Sequence, residues 1–128
     1  MILLLETHLL LRAASQPDRL SAVAREKLLD ENNALWFSAA SLWEVTIKAG
    51  LGRPDFRVDP YLLRRGLVDN GYTELPITSN HALAVHHLPL IHRDPFDRLL
   101  VAQAESEEVL LLTTDTTVAS YPGPVMLV

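Results

Sequence analysis

Cysteine is absent from this chain of 128 residues, which excludes disulfide frameworks, thiolate zinc sites and cysteine nucleophiles. Any metal it holds must be taken by oxygen or histidine, and a reducing compartment is compatible. Long apolar runs are absent as well. The opening MILLLETHLLLRAA is interrupted by Glu6 and His8, well short of the ~18 apolar residues that a membrane span needs. It also lacks a basic segment ahead of the apolar one. The expectation is a soluble cytoplasmic protein with no membrane partner. Positive charge is scarce: 11 Lys and Arg stand against 16 Asp and Glu, for a formal charge of −5. That balance argues against bulk electrostatic attraction to nucleic acid, which relies on many cations meeting phosphates. A local basic rim stays open, because nine of the 11 basic residues are arginine.

What the chain does have is apolar content, 48% of its residues, enough for one cored domain over 1–128 and too little length for two. The apolar runs ILLL (2–5), ALWFSA (34–39), TELPIT (73–78), VLLLTTD (109–115) and VMLV (125–128) read as strands. Between them lie helical patterns. Thr7 to Ala14 is one. Pro17 to Asp30 is another, with Leu20, Ala24 and Leu28 on one face and Arg25, Glu26 and Lys27 opposite. In SLWEVTIKAG, Ser41 followed by Glu44 spells a capping box and Gly50 a stop. Asp59 and Pro60 open a helix closed by Asn70 and Gly71, the alternative there being an Asn-Gly hairpin. Ser79 or Asn80 caps a helix through HALAVHHL that Pro89 ends, and Asp94 caps the one starting at Pro95. Strands alternating with helices predict a three-layer α/β/α domain with a mainly parallel sheet of about five strands.

Four acids fall at strand ends or helix starts: Glu6, Glu44, Asp97 and Asp115. Each has a structural explanation, since acids favour the first turn of any helix. Together they carry more, because ligands bind outside the carboxyl ends of parallel strands and several helix starts would crowd like charges there. Such repulsion costs on the order of kilocalories per mole unless protons or a cation relieve it. Magnesium and manganese favour oxygen donors of this kind.

The pieces LLLETHLLL, SLWEVTIKAGLGR, HRDPFDRLLVAQA and LLTTD occur in the order and separation of the PIN-domain ribonucleases, and most closely resemble the VapC-type toxins of bacterial toxin–antitoxin modules. The likeness spans essentially the whole chain, and DPFDRLLVAQA is its most specific part. It implies a PIN-like fold and an Mg²⁺- or Mn²⁺-dependent endoribonuclease with a four-carboxylate site at Glu6, Glu44, Asp97 and Asp115. Glu6 and Asp97 are the leading metal ligands, Asp115 a further or water-mediated one, and Glu44 a ligand or the group orienting the attacking water. Thr114 matches the family's threonine before the last acid, and Asp94 is assigned to the helix cap.

Where these toxins usually have aspartate after the first strand, this chain has Glu6. The added methylene moves the carboxylate by about a bond length, while catalytic geometry must hold within ~0.5 Å, so cleavage is expected to be reduced. The alternative is a catalytically silent PIN-like module that binds antitoxin or RNA without cutting. A phospho-acceptor receiver domain fits less well, lacking paired acids after the first strand, and a metal phosphatase would need a DxD motif.

Arg93, Arg98 and Lys48 are candidate RNA-backbone contacts, with Arg53 near them in sequence. His8 and His92 are assigned to partial burial or a backbone hydrogen bond, and Trp36, Phe37 and Trp43 to the core. The resemblance further implies a cognate VapB-type antitoxin, an RNA substrate and a homodimer. The apolar sides of 41–50 and 59–71 are the surfaces offered to such partners.

Overall fold

The computed structural model describes residues 1–128. Five strands form one sheet: β1 (Ile2–Leu5), β2 (Ala34–Ser38), β3 (Thr73–Leu75), β4 (Leu110–Thr113) and β5 (Val125–Leu127). Their order is β3-β2-β1-β4-β5, with every pairing parallel. A parallel sheet is covered on both faces, which is why its central strands read as unbroken leucine runs. In β1, Leu4 faces one core, with Leu111 of β4, and Leu3 and Leu5 face the other, with Leu112.

The helices are α1 (Thr7–Ser15), α2 (Ala22–Leu29), α3 (Ala39–Gly50), α4 (Pro60–Asp69), α5 (Ser79–Ala84), α6 (Pro95–Glu107) and α7 (Thr116–Ala119). One face of the sheet packs against α5, α6 and α7 through residues such as Ala84, Leu100, Val101 and Val118. The other packs against α1, α2 and α4 through Leu9, Leu10, Ala24, Leu63 and Leu67. Between them α3 contributes Ala40 to the first core and Val45 to the second. No helix is long and apolar enough to cross a membrane.

Several local expectations are corrected. The helix expected to start at Ser41 starts earlier, because β2 runs into α3 without a loop and Ser38 caps it by accepting from the Ala40 amide at 3.0 Å. Ser41 instead shares a buried 2.8 Å hydrogen bond with Thr7. The helix expected from Pro17 to Asp30 breaks: Pro17–Arg19 forms a single 3-10 turn, and Ser21 caps α2 afresh. Thr78, rather than Ser79 or Asn80, caps α5, reciprocated by the His81 ring. After Leu75 the expected strand stops at Pro76, which has no amide to offer a ladder. Asp59 with Pro60, and Asp94 with Pro95, open α4 and α6 as expected.

Helix α6 ends on Glu108 in the left-handed region, φ 56°, a conformation usually left to glycine. Glu108→Gly is therefore expected to raise stability by roughly 0.5–1 kcal/mol, read as a higher urea midpoint at unchanged m-value.

A buried polar chain ties the helices behind the sheet end. The Ser38 hydroxyl donates to Gln103 Oε1 at 2.5 Å, and the Gln103 amide reaches Pro76 O at 3.4 Å and His81 Nδ1 at 3.3 Å. His81 Nε2 lies 2.9 Å from Glu107. The cap of α3 is thus fastened to the middle of α6.

Candidate functional site

From β1 the chain proceeds outward to β2 and β3, then crosses to β4 and β5 on the far side. The order reverses between β1 and β4, where an open parallel sheet leaves a crevice beyond its carboxyl ends. Glu6 leaves β1 there. Its amide donates to Leu112 O at 2.9 Å, continuing the ladder by one rung, and its side chain is buried, 1% exposed. The carboxylate caps α1 by accepting from the His8 amide. It also meets His8 Nδ1 at 3.0 Å and, weakly, the Thr113 hydroxyl at 3.5 Å. The Glu6 hydrogen bond holds the His8 imidazole above its ordinary pKa, against the opposing effect of burial.

On the other side of the crevice, Asp115 caps α7 by accepting from the amides of Thr117 at 2.7 Å and Val118 at 3.3 Å. Burial alone opposes its ionisation, yet those amides and His92 outweigh it and hold the carboxyl below the usual range. The Asp115 amide donates to Thr113 Oγ1 at 3.0 Å. The hydroxyl that connects the end of β4 to Glu6 and Asp115 is that of buried Thr113, the strand's last residue.

Glu44 and Asp97 come from helices. Because α3 begins at Ala39, Glu44 sits beyond the first turn and is not a capping residue. It is buried, with Oε2 on Lys48 Nζ at 3.0 Å and Oε1 without any hydrogen-bond partner. Asp97 lies in the first turn of α6, held there by Asp94, whose Oδ1 accepts from the amides of Phe96 at 2.8 Å and Asp97 at 3.2 Å. Its own carboxyl is raised to a pKa of about 7, first by burial, then by the charges of Asp94, Glu6 and Glu44, with His92 opposing. Glu6 and Glu44 thus lie near enough to act on Asp97 by their charge, while of the four acids only Asp97 and Asp115 belong to a cluster whose ligand-type atoms lie within 4.8 Å of one another.

His92 is the residue that sequence reasoning left out of the site. It makes the backbone hydrogen bond expected of it, with Nδ1 accepting from the Asp94 amide at 3.1 Å. Its other nitrogen, however, lies 3.1 Å from Asp97 Oδ2 and 3.7 Å from Asp115 Oδ2, and one ligand-type atom of each of the three falls within a 4.8 Å cluster. The available signal was its place two residues ahead of a capping aspartate, from which a ring can fold back over the first helical turn.

The basic candidates differ in what they are free to do. Arg93 is exposed at the turn before α6, and Lys48 is paired with Glu44. Arg98 is not free for RNA: its guanidinium donates to Pro89 O at 2.9 Å, Val85 O at 3.2 Å and the Tyr121 hydroxyl at 3.0 Å. Its assignment to the nucleic-acid rim is corrected to a structural one. Arg98→Ala is expected to lower the unfolding free energy by about 2 kcal/mol, measurable as a shifted urea midpoint. Trp43 is corrected too. Phe37 is fully buried and Trp36 packs against the core, but Trp43 is 59% exposed and meets Phe96 edge-on, at 5.4 Å between centroids.

These donors suit a hard divalent cation. A buried carboxylate oxygen with no partner, as at Glu44, is costly unless something fills its lone pairs, and the Asp97 carboxyl is lifted to about 7 by burial first and by the charges of three other acids second. Oxygen donors in that state match magnesium or manganese rather than softer ions.

No curated protein matches the chain in sequence. Among solved structures it is similar to a chain of the VapBC2 complex of Rickettsia felis bound to a DNA fragment from its promoter, at 18% identity and TM-score 0.71, with 100% of this chain and 98% of that one covered. It is also similar to a chain of a Klebsiella pneumoniae toxin–antitoxin complex (17%, TM-score 0.60, 96% and 94%). A third is a chain of VapBC-1 from nontypeable Haemophilus influenzae (19%, TM-score 0.57, 91% and 88%). The PIN domain model matches residues 3–124, nearly the full length, and the chain belongs to the PIN-domain family.

Proposed function

We propose that this chain is a VapC-type toxin: a cytoplasmic Mg²⁺- or Mn²⁺-dependent endoribonuclease that hydrolyses RNA phosphodiesters at Glu6, Glu44, Asp97 and Asp115. The observation that carries the reading is the unpartnered Glu44 oxygen buried beside an Asp97 carboxyl raised to about 7. Glu6, Asp97 and Asp115 would hold the cation. Bound there, it would polarise the phosphate and acidify the attacking water.

The chain's own groups supply orientation. Lys48 fixes one Glu44 oxygen and leaves the other to accept a hydrogen from the incoming water or to join the ligands. Thr113 steadies Glu6 and the backbone of Asp115 from one hydroxyl. Asp115, the most exposed of the four, 42% at its side chain, marks the side from which RNA enters. Arg93 is the cation free to meet the phosphate backbone there. Thr114, one residue from Asp115, is the further position at which a hydroxyl would contact a bound water.

A cognate VapB-type antitoxin is the proposed inhibitor. A groove of about 930 Å³ lies among α1, α2 and α4, lined by Leu11, Leu20, Leu28, Leu62 and Leu67 among others, and would take an apolar antitoxin segment. On α3 the exposed Trp43, Ile47 and Leu51 repeat every four residues, a stripe suited to a second copy of the chain. A second reading, a PIN module that binds without cleaving, is favoured by Glu6, whose longer side chain is engaged in capping α1.

Two measurements test the proposal. Total RNA incubated with the protein and Mn²⁺ should be cut, and absence of cutting with Mn²⁺ bound supports the silent module. Mn²⁺ at a hundredfold excess over its dissociation constant should also stabilise the protein by about 2.7 kcal/mol. A thermal midpoint unmoved by Mn²⁺ or Mg²⁺ would sink the metal-dependent reading.

A further inference from the structure

His92 satisfies a test that a metal ligand would fail. A ring nitrogen that accepts a hydrogen bond carries no proton, and His92 Nδ1 accepts from the Asp94 amide at 3.1 Å. The proton is therefore on Nε2, the nitrogen that faces Asp97 and Asp115. Moving it to Nδ1 would set two N–H donors against one another and abandon the Asp94 amide, which has no other acceptor among its hydrogen bonds. A protonated Nε2 has no lone pair for a cation, although the three side chains have the spacing of a metal-binding cluster.

The ring is also held from behind. The His92 amide donates to the Tyr121 hydroxyl at 2.9 Å, that hydroxyl donates back to the His92 carbonyl at 3.4 Å, and Arg98 donates to the same oxygen at 3.0 Å. Tyr121 is buried, 3% exposed. A loop histidine fixed at its backbone on one side and its ring on the other is preorganised for one orientation.

We propose that His92 is a positioning residue whose Nε2–H edge, 3.1 Å from Asp97 Oδ2 and 3.7 Å from Asp115 Oδ2, holds the two carboxylates beside one another by electrostatic attraction and stays outside the metal's ligand shell, so that the cation takes oxygen ligands only. This rests on the metal-nuclease reading, but its first test does not.

In metal-free protein labelled with ¹⁵N-histidine, long-range ¹H–¹⁵N spectra should show His92 as the Nε2–H tautomer; an Nδ1–H tautomer overturns the proposal whatever the enzyme does. With Mn²⁺ bound, pulsed electron paramagnetic resonance should show no directly coordinated imidazole nitrogen. His92→Gln, whose amide places an N–H near the Nε2 position, should keep Mn²⁺ affinity within about threefold, and His92→Ala should lose on the order of tenfold. A strong nitrogen coupling that vanishes in both variants, or an Ala variant that binds as well as the parent, overturns it. Asp97→Asn separates the two levels: if it binds Mn²⁺ as tightly as the parent, the metal site and the ligation claim fall together, while the tautomer measurement stands alone.

Discussion

Asp97→Asn is expected to abolish RNA cleavage and, in the metal-free protein at pH 8, to make the fold more stable. The two effects share one cause. Burial and the charges of Asp94, Glu6 and Glu44 lift the Asp97 carboxyl to about 7 from its ordinary value near 3.8. Between those values the native state keeps a proton that the unfolded chain has released. The protonated acid's contribution is thus complete below about pH 4 and is lost as pH climbs through 7. At about 1.4 kcal/mol per unit, discounted because the crevice opens to solvent, the ionised acid costs roughly 2–3 kcal/mol at pH 8. Asparagine is neutral and nearly isosteric, so it removes that cost and flattens the pH dependence of the urea midpoint between pH 4 and 8. Cleavage should fall by on the order of 10³-fold, as the loss of several kcal/mol of transition-state stabilisation requires. A variant that cuts RNA like the parent, or that melts earlier than it at pH 8 without metal, contradicts the account.

Glu6→Asp should move activity the other way, by about 10- to 100-fold upward, because a misplacement near 1 Å costs up to about 10² in rate. Glu6 is engaged where it stands: its carboxylate takes the His8 amide and ring and, weakly, the Thr113 hydroxyl, contacts that fix its position. Aspartate is shorter by one methylene and caps helices well, so α1 should keep its start while the carboxylate withdraws toward the strand end. The measurement is the initial rate of Mn²⁺-dependent cleavage of total RNA, with the Mn²⁺ affinity taken alongside. An unchanged rate with unchanged affinity would remove Glu6 from the explanation of any weak activity.

The strand order of events along the chain was legible because leucine-rich runs separated by amphipathic segments admit few arrangements, and each expected strand is found where the runs lie. That alternation sends Glu6 and Asp115 off the carboxyl ends of β1 and β4 and puts Glu44 and Asp97 on the neighbouring helices. Misreadings arose where a side chain with a familiar local use is put to a long-range one. Ser41 and Glu44 have the spacing of a capping box, but Thr7 and Lys48 claim them. Arg98 has the charge of a phosphate contact, yet three acceptors distant in sequence use it first. Thr113 and Thr114 are adjacent and identical, and only the end of β4 between them shows that Thr113 is the one that meets Glu6. Trp43 has core character by composition, and the surface position of its helix face exposes it. His92 could not be placed without knowing that Asp115 arrives beside the start of α6.

The fastening of Ser38 to Gln103 has a consequence for how the molecule breathes. Helices α3 and α6, which bring Glu44 and Asp97, are expected to move together, so the distance between those two acids should survive fluctuations that loosen the rim. Amide hydrogen exchange near Ala40 and Gln103 should then occur only through global unfolding, while the four-residue α7 behind Asp115 exchanges by local fraying.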